Sequence, residues 1–230
     1  YKLTRYAQTE RKVLKISNHP FIVKLHYAFQ SKDFLFMIMD YCPGGNLGDL
    51  IKERGRLEED LARSFAAEVL LAIEDLHSKD IIFRDLKPDN VVLDANGHAL
   101  ITDFGLCRES VQDNTSAHSF CGSEAYLAPE MLTRYGHGKA IDFYLLGVLI
   151  YEMIVGRPPY YSRNREDMFH NIKAGPLKVP SWMTQETQSL ITKLLCRNPN
   201  KRLGATFGAE EIKKHPWFKS IDWTAALKKE

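Results

Sequence analysis

The segment Phe83-Arg84-Asp85-Leu86-Lys87-Pro88-Asp89-Asn90, followed after a short interval by Asp103-Phe104-Gly105, collects side chains that can manage charge around a transferring phosphoryl group. Asp85 can accept a hydrogen bond from an incoming hydroxyl and orient it, as a general base does. Lys87 lies two residues on in an extended stretch, so it projects beside Asp85 and can neutralise charge growing on the phosphoryl group. Asn90 and Asp103 offer a neutral and an anionic oxygen to Mg²⁺, a hard cation that shares such ligands with substrate phosphates. In-line transfer of this kind needs little covalent help and much positioning.

These residues need elements to hold them. Residues 3 to 17 read as a helix whose buried stripe carries Leu3, Tyr6, Ala7, Val13 and Leu14. Glu10 falls in that stripe, and a carboxylate there either faces a cation or is solvated by a slight roll of the helix. Two apolar runs, Val23 to Phe29 and Phe34 to Met39, flank Ser31-Lys32-Asp33 and predict an antiparallel hairpin. Tyr41-Cys42-Pro43-Gly44-Gly45 breaks the pattern as a linker between lobes would. Residues 59 to 78 form a long amphipathic helix, and Val91-Val92-Leu93, Asp94-Ala95-Asn96-Gly97 and Ala99-Leu100-Ile101 form a compact hairpin. The aperiodic stretch from Asp103 to Pro129 is long enough for a functional loop. Helices return at 140 to 155, apolar all round, and at 184 to 196 and 208 to 215.

At 230 residues, 44% hydrophobic and 26% charged, the chain can bury a sizeable core, in one lobe or two. A formal charge of +2 with scattered basic residues gives no argument for nucleic acid. The apolar runs, such as Leu145 to Tyr151, fall far short of a membrane span. Cys42, Cys107, Cys121 and Cys196 occur singly, without metal-ligand spacing, which favours a reducing setting.

Taken with Ala128-Pro129-Glu130, the two segments above resemble the motif set of eukaryotic protein kinases, in order and spacing. The resemblance implies an α+β kinase-like fold, residues 1–41 forming part of the small lobe and residues 42–230 the large one. It implies ATP and Mg²⁺ as cofactors and protein hydroxyls as acceptors. By analogy, Asp40 and Cys42 present linker backbone groups to the purine, Met39 stands behind it, and Val92 is its floor. Asn46 and Thr102 join that nucleotide set, and Glu10 takes the place of the helix glutamate that pairs with a phosphate-binding lysine. Phe104, with Leu14, Leu25 and Phe83, corresponds to the stacked column of an assembled core. Asp142 corresponds to the residue that holds the catalytic-loop backbone, and Glu130 pairs with Arg202.

Ser119-Phe120-Cys121-Gly122-Ser123 before Ala125-Tyr126-Leu127 resembles the activation segment of the AGC group of serine/threonine kinases. Pro159-Tyr160-Tyr161-Ser162-Arg163 leans toward the protein kinase B, ribosomal S6 kinase and serum- and glucocorticoid-regulated kinase branch. The resemblance implies a phosphate on Ser119, placed there by an upstream kinase and held by Arg84 and Arg108. Asp89 and Glu152 match acidic positions that read basic residues upstream of the target hydroxyl, and Ser123 lies on the peptide-facing loop. Asn46 stands where an acidic residue usually helps, so the basophilic preference is expected to be weaker at one position. Phe83, Phe143-Tyr144 and Ser123-Glu124-Ala125 depart from the family's usual residues.

No Gly-x-Gly-x-x-Gly occurs in the sequence, and no lysine-bearing strand precedes residue 3. The expectation is therefore a piece of an active kinase whose first three strands lie outside these residues, inactive without them. A kinase-derived binding or scaffold module is the alternative, and a small-molecule phosphotransferase a remote third. A monomer in the cytoplasm is expected, the nucleus being compatible.

Overall fold

Apolar residues at helical spacing bury Val13 and Leu14 of α1 (Lys2–Ile16) against the rest of the chain. The computed structural model describes residues 2–109, 123–133 and 136–230. After α1 come β1 (Leu25–Gln30) and β2 (Leu35–Met39), antiparallel and closed by a tight turn in which Ser31 N–H donates to Phe34 O. Tyr6, expected in the buried stripe, is instead 42% exposed. The helix passes so close to Gly105 that a Cβ there would sit 3.3 Å from Tyr6 Cβ, and no ring fits between them.

The linker after β2 reaches the second part of the molecule through a close backbone approach. Gly44 N–H donates to Leu93 O, Leu93 N–H donates to Gly45 O, and a Cβ on Gly44 would lie 2.6 Å from Leu93 Cβ. Only glycine fits there. α2 (Leu47–Arg54) starts at Asn46, whose side chain accepts from Asp49 N–H, and α3 (Glu59–Ser78) then crosses the core. β3 (Val91–Leu93) and β4 (Ala99–Ile101) form the second two-stranded sheet, in the register Val91 to Ile101. Ile101 also bridges Ile22, which joins this hairpin to the segment between α1 and β1.

The remaining helices are α4 (Pro129–Thr133), α5 (Ala140–Val155), α6 (Arg165–Ala174), α7 (Gln185–Leu194), α8 (Ala209–Lys213) and α9 (Trp223–Leu227). α5 is apolar on every side because it is surrounded on every side: all but two of its residues are buried, Glu152 and Val155 being the exceptions. It packs on α3 and on α7, and at the α7 crossing Gly147 lets Leu194 come within what would be 2.8 Å of a Cβ. Among the described residues the molecule is thus helices plus two small sheets, an α+β arrangement in which the first part holds one helix and two strands.

Candidate active site

A single carboxylate on the first turn of α5 shapes the loop that carries the reactive groups. Asp142 is fully buried, and it accepts hydrogen bonds from Phe83 N–H (2.9 Å), Arg84 N–H (2.8 Å) and His77 Nε2 (2.7 Å). Three donors compensate the burial of that charge. Between them they hold the backbone at Arg84 in the left-handed region, φ 70°, a conformation that a non-glycine residue keeps only when its surroundings enforce it. The chain is thereby turned so that Asp85, 5% exposed, faces Lys87 and Asn90. Lys87 Nζ lies 3.0 Å from Asp85 Oδ2, and Asn90 Nδ2 donates to both Asp85 Oδ2 and Asp85 O at 2.9 Å.

Asp103 follows β4, and it too is left-handed, φ 63°. Its carboxylate is near enough to Asp85 to help raise that pKa. Burial is the main cause of the rise, opposed by the hydrogen bonds from Lys87 and Asn90. Phe104 is fully buried and packs edge-on against Phe83 at 5.3 Å, with Leu14 buried in the same core. Leu25 packs on that core from its edge. Glu10 arrives from α1. Its pKa is raised by burial and by the Asp103 charge, while a hydrogen bond from Phe104 N–H partly offsets both. Among the described residues Glu10 has no ion-pair partner, and it stands half-buried beside Asp103.

The groups proposed for a purine line the linker. Asp40 N–H donates to Lys24 O, and its side chain accepts from Lys24 N–H and meets His26 Nε2. Asp40 O and Cys42 N–H take no protein partner among the described residues and so remain available to a ligand. Met39 pairs with Leu25 across the hairpin, and Val92 bridges Asn46. The Asn46 side chain is occupied by Asp49, donating from Nδ2 at 2.7 Å as well as accepting, so its main role here is to cap α2. Thr102 N–H donates to Asn90 O, tying the residue before Asp103 to the loop of Asp85. Asn90 Nδ2 is engaged, so Oδ1 is the atom with which Asn90 would hold a cation, and exposed Asp103 is the residue that would offer a second oxygen. Among the described residues there is no cluster of three His, Cys, Asp or Glu. Mg²⁺ needs none, since one or two protein oxygens plus phosphates and waters fill its shell.

On the other side of the loop, Glu152 of α5 lies next to Asp89 and receives the Tyr126 hydroxyl. Burial and the Asp89 charge push its carboxyl up to about 7. Ser123 opens the 3₁₀ turn Glu124–Tyr126, and Glu124 is paired with Arg165 at 2.6 Å. Glu130 and Arg202 form a buried bidentate pair, 2.7 and 2.9 Å, and Arg202 also donates to Ala140 O and Cys196 O over the Tyr144 ring. Arg84 Nε donates to Leu106 O, and Arg108 exchanges both backbone hydrogen bonds with Ile82. Ser119 lies outside the described residues.

A family profile described as the protein kinase domain matches residues 2–218. This chain belongs to the protein kinase family. Over 229 residues it is 46% identical to "Protein kinase 2" of Dictyostelium discoideum, covering 100% of this chain and 47% of that protein. It is 46% identical over 225 residues to "Putative ribosomal protein S6 kinase alpha-1" of Caenorhabditis elegans, covering 97% of the chain and 29% of that protein. "Ribosomal protein S6 kinase beta" of the same organism is 43% identical over 223 residues, which are 96% of the chain and 40% of that protein. The kinase is AGC-like, and it spans less than half the length of these curated relatives. Two groups in the kinase site went unassigned in the sequence. His77 closes the hydrogen-bond set of Asp142, and the Tyr126 hydroxyl meets Glu152. The signal for His77 was a histidine in the last turn of a buried helix; Tyr126 carried none beyond its place before Leu127.

Proposed function

We propose that this domain transfers the γ-phosphoryl group of ATP to serine or threonine hydroxyls of proteins, with a preference for basic residues near the target. The observation that carries the reading is the cluster of Asp85, Lys87 and Asn90 next to Asp103. Asp85 accepts a hydrogen bond from the acceptor hydroxyl and aims its oxygen at the γ-phosphorus, and the proton passes to the carboxylate as the new P–O bond forms and the bond to ADP breaks. Lys87 restrains Asp85 and offsets charge on the transferring group. Asn90 and Asp103 hold Mg²⁺, which supplies neutralisation of the phosphate charge. Asp40 O and Cys42 N–H face the purine over Val92, with Met39, Asn46 and Thr102 around it, and Glu10 pairs with a lysine supplied by a preceding strand. Residues 1–41 then belong to the nucleotide-side lobe and 42–230 to the substrate-side lobe. Phosphorylation of Ser119 by an upstream kinase, read by Arg84 and Arg108, completes the activation segment.

Glu152 and Asp89 support the basic preference, because a half-buried carboxyl with a like-charged neighbour gains most from an incoming guanidinium. The test is Mg²⁺-dependent phosphorylation of an arginine-containing serine peptide by the full-length polypeptide. Asp85→Asn is expected to lower kcat by about 10²- to 10⁴-fold with nucleotide affinity retained. An equal rate in the variant would refute the assignment.

A further inference from the structure

Lys229, just after α9, is a charged group that the chemistry above leaves unused. Its backbone is left-handed, φ 62°, and its side chain is only 25% exposed although it belongs to no regular element. Two contacts hold it there. Lys229 Nζ donates to Asp94 Oδ2 at 2.7 Å, and the ammonium lies 5.6 Å from the centre of the Phe21 ring. Asp94 and Phe21 come from different parts of the molecule, the first from the β3–β4 turn and the second from the segment between α1 and β1.

Each contact leads to the nucleotide side of the cleft within a residue or two. The other oxygen of Asp94 accepts from Asn96 N–H and His98 N–H, which shapes the turn. Leu93, one residue before Asp94, exchanges both backbone hydrogen bonds with Gly44 and Gly45 of the linker, and Val92 bridges Asn46. Phe21 O accepts from Ile101 N–H, and Ile101 O accepts from Val23 N–H, so Phe21 fixes the strand that runs into Thr102 and Asp103. Behind the linker is a 580 Å³ cavity lined by Asp40, Cys42, Asp94 and Lys229 among others. On that side the linker is tied to the β3–β4 hairpin through the backbone bonds of Gly44 and Gly45. Burial would raise the Asp94 carboxyl, yet the bonds from Lys229 and the two amides hold it below its ordinary range.

We propose that Lys229 is a positioning residue for nucleotide binding: it clamps the β3–β4 turn to the α1–β1 segment and thereby sets the linker and purine floor. This rests on the kinase reading for its rate measurements, but not for its binding or exchange measurements. In the full-length polypeptide, Lys229→Ala is expected to raise the KM and Kd for ATP about threefold to tenfold, with kcat within about twofold of the parent, since the charge-assisted hydrogen bond to Asp94 is lost. Lys229→Arg, which keeps charge and reach, is expected to restore both constants, and Asp94→Asn to reproduce Lys229→Ala. Amide hydrogen exchange at Asn96 and His98 is expected to accelerate in Lys229→Ala. Faster exchange with unchanged ATP affinity would overturn the proposal by confining Lys229 to local stability, and unchanged exchange would overturn the clamp itself. Absence of phosphoryl transfer in the parent would count against the kinase reading alone, because ATP Kd and exchange still decide the clamp.

Discussion

Glu152 offers a quantitative test of substrate reading. Its carboxyl has an ordinary pKa of 4.5 and stands at about 7, raised first by burial and then by Asp89. At 1.36 kcal/mol per pH unit, the difference amounts to about 3 kcal/mol disfavouring the charged form. Below pH 4.5 the group is protonated folded or unfolded and has no effect; as pH rises toward 7 the unfolded chain ionises first, and the domain loses up to about 3 kcal/mol. An arginine placed beside Glu152 and Asp89 reverses this by favouring the carboxylate. If the bound pKa returns to 4.5, affinity for an arginine peptide increases about tenfold between pH 6 and 8 and then levels off. The assay is the ratio of KM values for two peptides, one with arginine and one with norleucine at the position that reaches Glu152. Taking the ratio cancels the titration of ATP and of Asp85. Glu152→Gln is expected to flatten the ratio across that range and to reduce the arginine advantage. A flat ratio in the parent, or one unaltered in Glu152→Gln, would refute the reasoning.

Arg202→Met leaves Glu130 buried without its bidentate partner, so a loss of about 3–5 kcal/mol is expected, read as a fall in Tm of roughly 10 °C; a shift under about 2 °C would contradict it. Gly147→Ala gains about 1 kcal/mol in helix propensity, but its Cβ would lie 2.8 Å from Leu194 Cβ, and overpacking at about 1–3 kcal/mol prevails. Chemical denaturation should show net destabilisation, whereas a rise in midpoint would mean that α7 yields easily. Asp142→Asn keeps the shape but turns one oxygen into a donor facing an N–H, so kcat is expected to fall about 10-fold or more with ATP Kd little changed.

Long periodic segments were readable in advance because their signal is the burial pattern itself. The α3 and α5 helices, the β1–β2 hairpin and the β3–β4 hairpin lie where spacing and turn residues placed them. α6 was not foreseen, since its buried positions are few, Met168 and Ile172; the legible signal was its start, where Asn164 accepts from Glu166 and Asp167 N–H. α9 is similarly announced only by Asp222, which accepts from Thr224 and Ala225 N–H. At the site, residue type and order identified Asp85, Lys87, Asn90 and Asp103 as a set, because their chemistry is local to two loops. What spacing could not supply was long-range electrostatics. That Glu10 meets the Asp103 carboxylate and the Phe104 amide, or that Lys229 reaches both Asp94 and Phe21, depends on how distant segments pack.

Asp142 grips two main-chain amides of the Asp85 loop. Because it holds the peptide groups of residues 83 and 84 and not their side chains, an aromatic ring such as Phe83 can stand there in place of a polar one without loosening that grip. The position of Asp85 is thereby referred to α5, a helix apolar on every side, on which Leu194 of α7 is seated at Gly147.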